Sequence, residues 1–349
     1  MSIKHEGQAT VIVENCLSRP RIDTKSSIHT TYSISKTSFN IQDLPKSRQA
    51  TQGNHYHQKT TTPSTQRKEK KRKMPPSIST RAFIQWLPNA PSEPTSTLVL
   101  TSTARTFVDI RIPLEALHLP ENTNPSHVEW AFAGRSTSHA TDGKHLSQWH
   151  HWVDSTTIKP EDVVDKGEML EEDAETGLVL EKGEMVNPAT GVLTGYVEGW
   201  REGEVCVVPV PRKEVVKGFH EELRARGVRV GGGRAGVASG GELESRALET
   251  VSARLSVVLR HEDPARRSRG MVIRLGQHCQ GVMRVGEEFA YERWEWSRED
   301  RWRRTALSGQ LSMPCDVLTI LGEEMCTDTT VTYGNEDNLT WQCEEAERF

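Results

Sequence analysis

The chain has 349 residues, of which 35% are hydrophobic and 26% are charged, and its formal net charge is −4. This length allows about two domains of ordinary size, and a mean hydropathy of −0.60 indicates that part of the chain lies outside a packed core. No stretch of about 18 apolar residues is present, which argues against a membrane-spanning helix. The six cysteines are widely spaced, which favours reduced thiols in a cytoplasmic or nuclear protein.

Charge is distributed unevenly along the chain. Residues 1–73 hold 14 Lys and Arg against 5 Asp and Glu, a net charge of +9, so the remaining residues carry a net charge of −13. An acidic body argues against nucleic acid as a partner, because binding phosphates requires a basic face.

Residues 1–76 are predicted to form a disordered, basic tail rich in Ser and Thr. This segment contains no tryptophan and has too little regularly spaced apolar sequence to form a core. Because Met74 directly follows a basic run at 67–73, one hypothesis is that translation starts at Met74 and that residues 1–73 come from an over-long gene model. The alternative is a genuine tail that carries a nuclear-import signal. Peptides from residues 1–73 in a mass spectrum of the natural protein would exclude the first hypothesis.

Residues 77–210 are predicted to form a first β-barrel. Short apolar or alternating runs indicate strands, and turn residues such as Asp142-Gly143 separate them. The predicted strands are 82–87, 97–101, 107–112, 128–133, 149–155, 192–200 and 205–210.

Residues 211–250 are predicted to form a Gly-rich linker with a short helix at 213–226, and residues 251–349 a second β-barrel. The fold class is therefore all-β. Closed barrels are favoured because closure removes exposed strand edges, and a sandwich is the alternative. The predicted strands of the second unit are 253–260, 271–275, 281–285, 289–296, 302–307, 317–321 and 339–344.

Two similar segments suggest that one β-unit has been duplicated. Residues 148–152 read QWHHW and residues 292–296 read ERWEW, and each follows strand-like sequence. The tryptophans predicted to occupy equivalent places are Trp149 and Trp152 in the first unit and Trp294 and Trp296 in the second. Trp200 and Trp341 likewise close corresponding stretches near the end of each unit.

The tryptophans are also the candidate site residues. One interpretation is an aromatic-lined pocket for a small apolar ligand. The other, which we favour, is that they fill the barrel interiors, because one tryptophan buries about 150–250 Å². The candidates for either a pocket or a core are Trp86, Trp130, Trp149, Trp152, Trp294 and Trp296.

No combination of residues predicts catalysis or the binding of a metal or cofactor. Adjacent residues on a strand point to opposite faces, so His150 and His151 are not expected to bind one metal ion together. The glycines at 231–236 lack the Lys-Ser/Thr ending of a phosphate-binding loop. We find no Gly-x-Ser-x-Gly motif in the sequence. We therefore expect a protein that is not an enzyme, with no catalytic, cofactor-binding or metal-binding residues.

Seven segments, in order along the chain, carry a resemblance to a known family. They are 95–100 (TSTLVL), 107–111 (FVDIR), 130–134 (WAFAG), 149–155 (WHHWVDS), 269–277 (RGMVIRLGQ), 279–282 (CQGV) and 292–296 (ERWEW). Together they resemble the fungal HRI protein family, which is named for interaction with a yeast casein kinase I. The resemblance covers residues 77–349 and implies two tandem lipocalin-like β-barrels, a homodimer, and a cytoplasmic and nuclear location. It also implies binding to a casein kinase I and to a component of the endoplasmic-reticulum translocation machinery.

The expected function is therefore that of a non-enzymatic protein-interaction module. The alternative is a carrier of a small apolar ligand, with an aromatic-lined pocket in one of the barrels. The interior of each barrel distinguishes the two, because a carrier needs a hollow one.

Overall fold

The computed structural model describes residues 74–118, 128–232, 254–333 and 339–349. It also describes the backbone of two short segments, β1 (Thr10–Glu14) and β2 (Lys36–Asn40), which pair antiparallel. Of the tail predicted to be disordered, only this pair and residues 74–76 are described. The rest of that prediction, and residues 233–250 of the predicted Gly-rich linker, lie outside the described residues.

The first unit is a closed barrel of eight antiparallel strands that follow one another around it in chain order. Closure occurs where the last strand pairs with the first. This confirms the predicted all-β class and the first barrel. The strands are β3 (Ser77–Trp86), β4 (Thr95–Thr101), β5 (Thr106–Pro113), β6 (Trp130–Thr141), β7 (Lys144–Asp154), β8 (Asp165–Met169), β9 (Val179–Val186) and β10 (Leu193–Gly203).

The turn between β6 and β7 shows why the sequence predicts hairpins well. Asp142 and Gly143 have φ angles of 51° and 76°, the left-handed conformations that a two-residue hairpin turn requires. The strand predicted at 205–210 is wrong. This segment has no regular structure, and its valines Val205 and Val208 are buried individually, at 8% and 4% exposure.

The second unit is an open sheet of eight antiparallel strands, which corrects the prediction of a second closed barrel. The unit also begins earlier than predicted, because β11, within the predicted linker, pairs with β17. In the sheet the order is β11-β17-β18-β12-β13-β14-β15-β16. The elements are α1 (Lys213–Ala225), β11 (Val228–Gly231), β12 (Leu255–Asp263), β13 (Ser268–Leu275), β14 (His278–Val285), β15 (Glu288–Ser297), β16 (Arg301–Ser308), α2 (Cys315–Leu321), β17 (Thr330–Tyr333) and β18 (Thr340–Arg348).

A helix fills the interior of the open sheet. Residues 317–321, predicted as a strand, belong to α2. The prediction failed because a short apolar run is as compatible with a buried helix as with a buried strand. Val317, Leu318 and Leu321 of this helix are fully buried. The Arg274 guanidinium holds the helix by donating to the Leu318 carbonyl at 2.7 Å. No helix within the described ranges has the length and apolar sequence needed to cross a membrane.

The two tryptophan segments predicted to be duplicates lie on β7, which carries Trp149, and on β15, which carries Trp294. Each is the fifth strand of its unit in chain order, counted from β3 and from β11. Trp200 and Trp341 both lie on the last strand of a unit and are 7% and 0% exposed.

The two units share one apolar core. On β5, Val108, Ile110 and Ile112 point out of the barrel and are at most 1% exposed, because they pack against the second sheet. The residues that the second unit contributes to this shared core include Val258, Ile273, Leu275 and Val282. The apolar side of this barrel strand therefore faces the neighbouring unit, and its polar side faces the barrel interior.

Gln280 joins the units through main-chain hydrogen bonds. This fully buried β14 side chain donates from Nε2 to the Leu98 carbonyl at 2.9 Å and to the Val108 carbonyl at 2.7 Å. Both acceptors lie on barrel strands, β4 and β5. The amide nitrogen of this buried side chain is therefore fully used in joining the two units.

Arg293, the cross-strand neighbour of Gln280 on β15, makes the second set of bonds between the units. Its Nη2 lies 2.7 Å from the Ile110 carbonyl and its Nη1 lies 2.9 Å from Ser96 Oγ. Burial lowers the pKa of Arg293 to about 10. The guanidinium therefore stays charged at neutral pH and depends on these barrel acceptors.

Arg293→Ala is expected to lower the free energy of unfolding by about 2–4 kcal/mol, because buried acceptors lose a charged donor. The measurement is equilibrium unfolding in guanidinium chloride. Arg303→Ala, at an exposed position on the next strand, is the control and should change stability by no more than about 0.5 kcal/mol. Equal effects of the two substitutions would contradict this role of Arg293.

Candidate functional site

Charged side chains occupy the barrel interior. Glu198 of β10 lies between two arginines, with Oε1 2.7 Å from Arg81 Nη1 and 3.4 Å from Arg111 Nη1. Arg111 also pairs with Asp109 at 2.9 Å, and Arg81 with Glu93 at 2.8 Å. We call these five residues the lumen ion network.

Because the network is buried, its charges are stabilised by one another and not by water. The Arg81 side chain is 0% exposed and that of Glu198 1% exposed, so neither charge has bulk water to solvate it. Burial acts to lower the pKa of the Arg111 guanidinium, but Asp109 and Glu198 outweigh it and raise that pKa. Each charge therefore holds another in place.

A second cluster surrounds His151 on β7. Its Nδ1 lies 2.7 Å from Asp154 Oδ2 and its Nε2 lies 3.2 Å from Asp165 Oδ2, and its ring stacks on Phe132 at 4.2 Å. Burial opposes the charged imidazole, but the hydrogen bonds to the two carboxylates outweigh it and raise the pKa of His151. The carboxylates lie on opposite sides of the ring, so the cluster is an ion pair and not a metal site. Within the described ranges no group of three or more His, Cys, Asp and Glu residues could hold a metal ion.

A third cluster is centred on Glu181 of β9. Tyr196 donates its hydroxyl to Oε1 at 2.7 Å, and Trp200 donates its indole N–H to Oε2 at 3.0 Å. Burial and the charge of Glu198 raise the pKa of Glu181 to about 8. Gly183 makes room for this arrangement, because a Cβ atom there would lie 2.6 Å from the Tyr196 ring.

Three of the candidate tryptophans lie along the barrel interior. Trp130 donates its indole N–H to Asp154 at 3.1 Å. Trp86 contacts Tyr196 edge-on at 6.1 Å. Trp149 lies two residues before His151 on β7 and so shares its inward face. All three are half-buried.

The other three lie elsewhere. Trp152 is between the units, with the guanidinium groups of Arg260 and Arg269 at 3.7 and 4.5 Å from its ring. Trp294 and Trp296 share the inner face of the open sheet, as their spacing predicts. The six candidates therefore do not form one pocket.

The outer surface of the barrel carries an apolar patch that sequence reasoning missed. Leu193 and Val186 are paired across β10 and β9 and are 64% and 59% exposed. Val192 in the adjoining turn and Leu87 after β3 are 60% and 45% exposed. The Leu87 side chain lies over Gly195, and the Leu87 N–H donates to the Gly195 carbonyl at 2.9 Å. We call these four residues, Leu87, Val186, Val192 and Leu193, the apolar patch.

A sequence signal for the patch does exist. Val186 and Val192-Leu193 flank the turn at 187–191, where paired strand ends normally expose polar side chains. Recognising it requires knowing that these positions face outward. That knowledge depends on β9, a strand absent from the sequence prediction.

These features define a class: an all-β protein in which a closed, filled eight-stranded barrel packs against an open eight-stranded sheet. The model of the family described as Protein HRI1 matches residues 77–345, and the chain belongs to this family, as its motifs predicted. Among solved structures it is similar to the uncharacterized protein YLR301w from Saccharomyces cerevisiae, with a TM-score of 0.50 and 17% identity. That similarity covers 78% of this chain and 99% of the other and concerns the fold alone. No curated protein matches the chain.

Glu198→Gln is expected to lower the free energy of unfolding by about 3 kcal/mol or more, because it leaves two buried arginines without their shared carboxylate. Urea denaturation measures this. Glu202→Gln, at an exposed position on the same strand, is the control and should stay within about 0.5 kcal/mol of the wild type. A similar small effect at Glu198 would show that the network does not hold the barrel together.

His151 is expected to make stability decline at alkaline pH. Since its folded pKa is raised above the unfolded value of 6.5, its ion pairs contribute fully below that value and are lost as pH rises through the folded pKa. The stability difference between the wild type and His151→Gln should therefore shrink as the pH rises from the unfolded value of 6.5 through the raised folded pKa. The pKa of Asp154 is lowered, so the stability that its carboxylate contributes is lost only at acidic pH, as the pH falls through that pKa. A difference that stays constant across the alkaline range would contradict the ion pairing.

Proposed function

We propose that this protein is a non-enzymatic protein-interaction module that binds through the outer surface of its closed barrel. The partners proposed are a casein kinase I and a component of the endoplasmic-reticulum translocation machinery. The proposed setting is the cytoplasm and nucleus, with the protein as a homodimer.

The apolar patch is the observation that carries this proposal. Val186, Leu193 and Leu87 lie on one face of the barrel, Val192 adjoins them in the turn, and each of the four is at least 45% exposed. Keeping apolar surface in water costs about 25 cal/mol per Å², and contiguous exposed apolar residues typically mark a binding surface. Glu184, in register with Gly195, places a polar side chain beside the patch, as at the rim of a protein–protein interface.

The barrel's strand order supports a finer proposal, that this unit is lipocalin-like. Its eight strands run in chain order around the barrel, the up-and-down arrangement that lipocalins have. Lipocalins hold ligands in a hollow interior, whereas the lumen ion network occupies the interior here. The carrier alternative therefore lacks an observation in its favour within the described residues.

Leu193→Asp is expected to weaken binding of a purified casein kinase I by about tenfold or more, because a charge in the centre of an apolar contact must be desolvated. Surface plasmon resonance with the full chain immobilised measures this. Val164→Asp is the matched control, since Val164 is an apolar residue with 70% exposure outside the patch, and it should bind as the wild type does.

Two outcomes would contradict the proposal. In one, both substitutions leave kinase binding unchanged. In the other, Leu193→Asp converts a dimer into a monomer in sedimentation while kinase binding persists, which would assign the patch to self-association.

A further inference from the structure

We propose that a cavity between the two units binds a small oxyanion of the phosphate type. The cavity is separate from the apolar patch, which lies on the outer surface of the barrel. The proposal therefore goes beyond the kinase-binding function and does not depend on it.

The cavity has a volume of about 200 Å³ and is lined by residues of both units. The barrel contributes Trp152 and Ile158, and the second unit contributes Arg267, Arg269 and Arg284. Pockets for drug-sized molecules typically have volumes of about 300–1,000 Å³. A cavity of this smaller size, lined by three arginines, suits a small anion.

Two of these arginines face each other across neighbouring strands. Arg269 of β13 and Arg284 of β14 are directly opposite, so their side chains lie on the same face of the sheet. Like charges in this position destabilise a strand pair. Arg269 has one carboxylate contact, at 3.4 Å to Glu161 Oε2, and that carboxylate is 62% exposed. An anion in the cavity would offset the repulsion more strongly than a solvated carboxylate does.

Arg267 adds a third positive charge at the same place. Its Nη2 lies 3.6 Å from the position that a Cβ atom on Gly286 would occupy, and Arg284 Nη1 lies 3.4 Å from the Gly286 carbonyl oxygen. Both guanidinium groups therefore lie beside Gly286. Among the described residues, the Arg267 guanidinium has no ion-pair partner.

The carboxylates that line the cavity are already engaged. Asp154 pairs with His151 at 2.7 Å, and Glu262 pairs with Arg260 at 3.2 Å. Asp263 accepts hydrogen bonds from the main-chain N–H groups of the short turn that follows it. These carboxylates therefore do not neutralise the three arginines of the cavity.

Arg284 also keeps a donor for a ligand. It donates to four main-chain carbonyls, which are neutral, including those of Asp154 at 2.9 Å and Ser155 at 2.8 Å. A guanidinium has five N–H groups, so one of them remains. Planar guanidinium groups bind phosphate oxygens through paired, charge-assisted hydrogen bonds, and this chemistry favours phosphate as the ligand.

The test is isothermal titration calorimetry of the full chain with inorganic phosphate, in a chloride buffer of constant ionic strength. The wild type should show one saturable site. Arg267→Gly should weaken phosphate binding by about tenfold or more, because it removes a charged hydrogen-bond donor. The φ angle of Arg267 is 51°, a left-handed conformation that glycine adopts readily. The variant should therefore fold, with a melting temperature no lower than that of the wild type.

Arg301→Gly is the matched control. Arg301 is also exposed and has a φ angle of 59°, so the substitution removes the same charge and relieves the same backbone conformation. Arg301 follows the C-terminal end of β15, whereas Gly286 precedes its N-terminal end. The two positions are therefore separated by about 30 Å, the length of this strand. Arg301→Gly should bind phosphate within about twofold of the wild type, because charges this far apart are screened.

Three outcomes would overturn the proposal. One is the absence of saturable phosphate binding by the wild type. Another is equal weakening by Arg267→Gly and Arg301→Gly, because the attraction would then come from the overall charge. The third is a phosphoserine peptide that binds more than about tenfold more tightly than inorganic phosphate, which would assign the arginines to a phosphorylated partner protein.

Discussion

Charge buried inside the closed barrel is the constraint on which the rest of the structure depends. Glu198 holds Arg81 and Arg111, and His151 holds Asp154 and Asp165. Buried ions need partners more than they need packing, so these side chains fix one another's positions in the interior. On β5 the inward positions include Asp109 and Arg111, and the aliphatic residues Val108, Ile110 and Ile112 face outward.

That outward face determines how the two units sit together. The apolar side of β5 is covered by the second sheet, and Gln280 and Arg293 bond to main-chain carbonyls across the same boundary. The second unit fills its own interior differently, with α2 lying inside a sheet that stays open. The closed barrel therefore has no end strand, whereas the open sheet ends in β11 and β16.

The sequence predicted the parts of this fold whose strands bury apolar side chains. The strands β4, β5, β13 and β14 were placed correctly, because their valines, leucines and isoleucines alternate or cluster. The strand β8 (DKGEM) was missed, since its inward residue Gly167 leaves room for Glu181 and supplies no apolar signal. The sequence also could not show that the second sheet stays open, because residues 317–321, which form part of α2, are as apolar as a core strand. The lumen ion network escaped notice because its members are far apart in sequence and look like surface charges until the barrel closes.

In this member of the Protein HRI1 family, buried charged side chains occupy the barrel interior, and the apolar patch lies on the outer surface of the barrel. The measurement that tests this account most directly is a crystal structure of the protein purified from its natural source, at a resolution that shows ordered water. The account predicts that the barrel interior contains only side chains and water, with Glu198 between Arg81 and Arg111. Density for a bound small molecule inside the barrel, with these side chains moved apart, would contradict it.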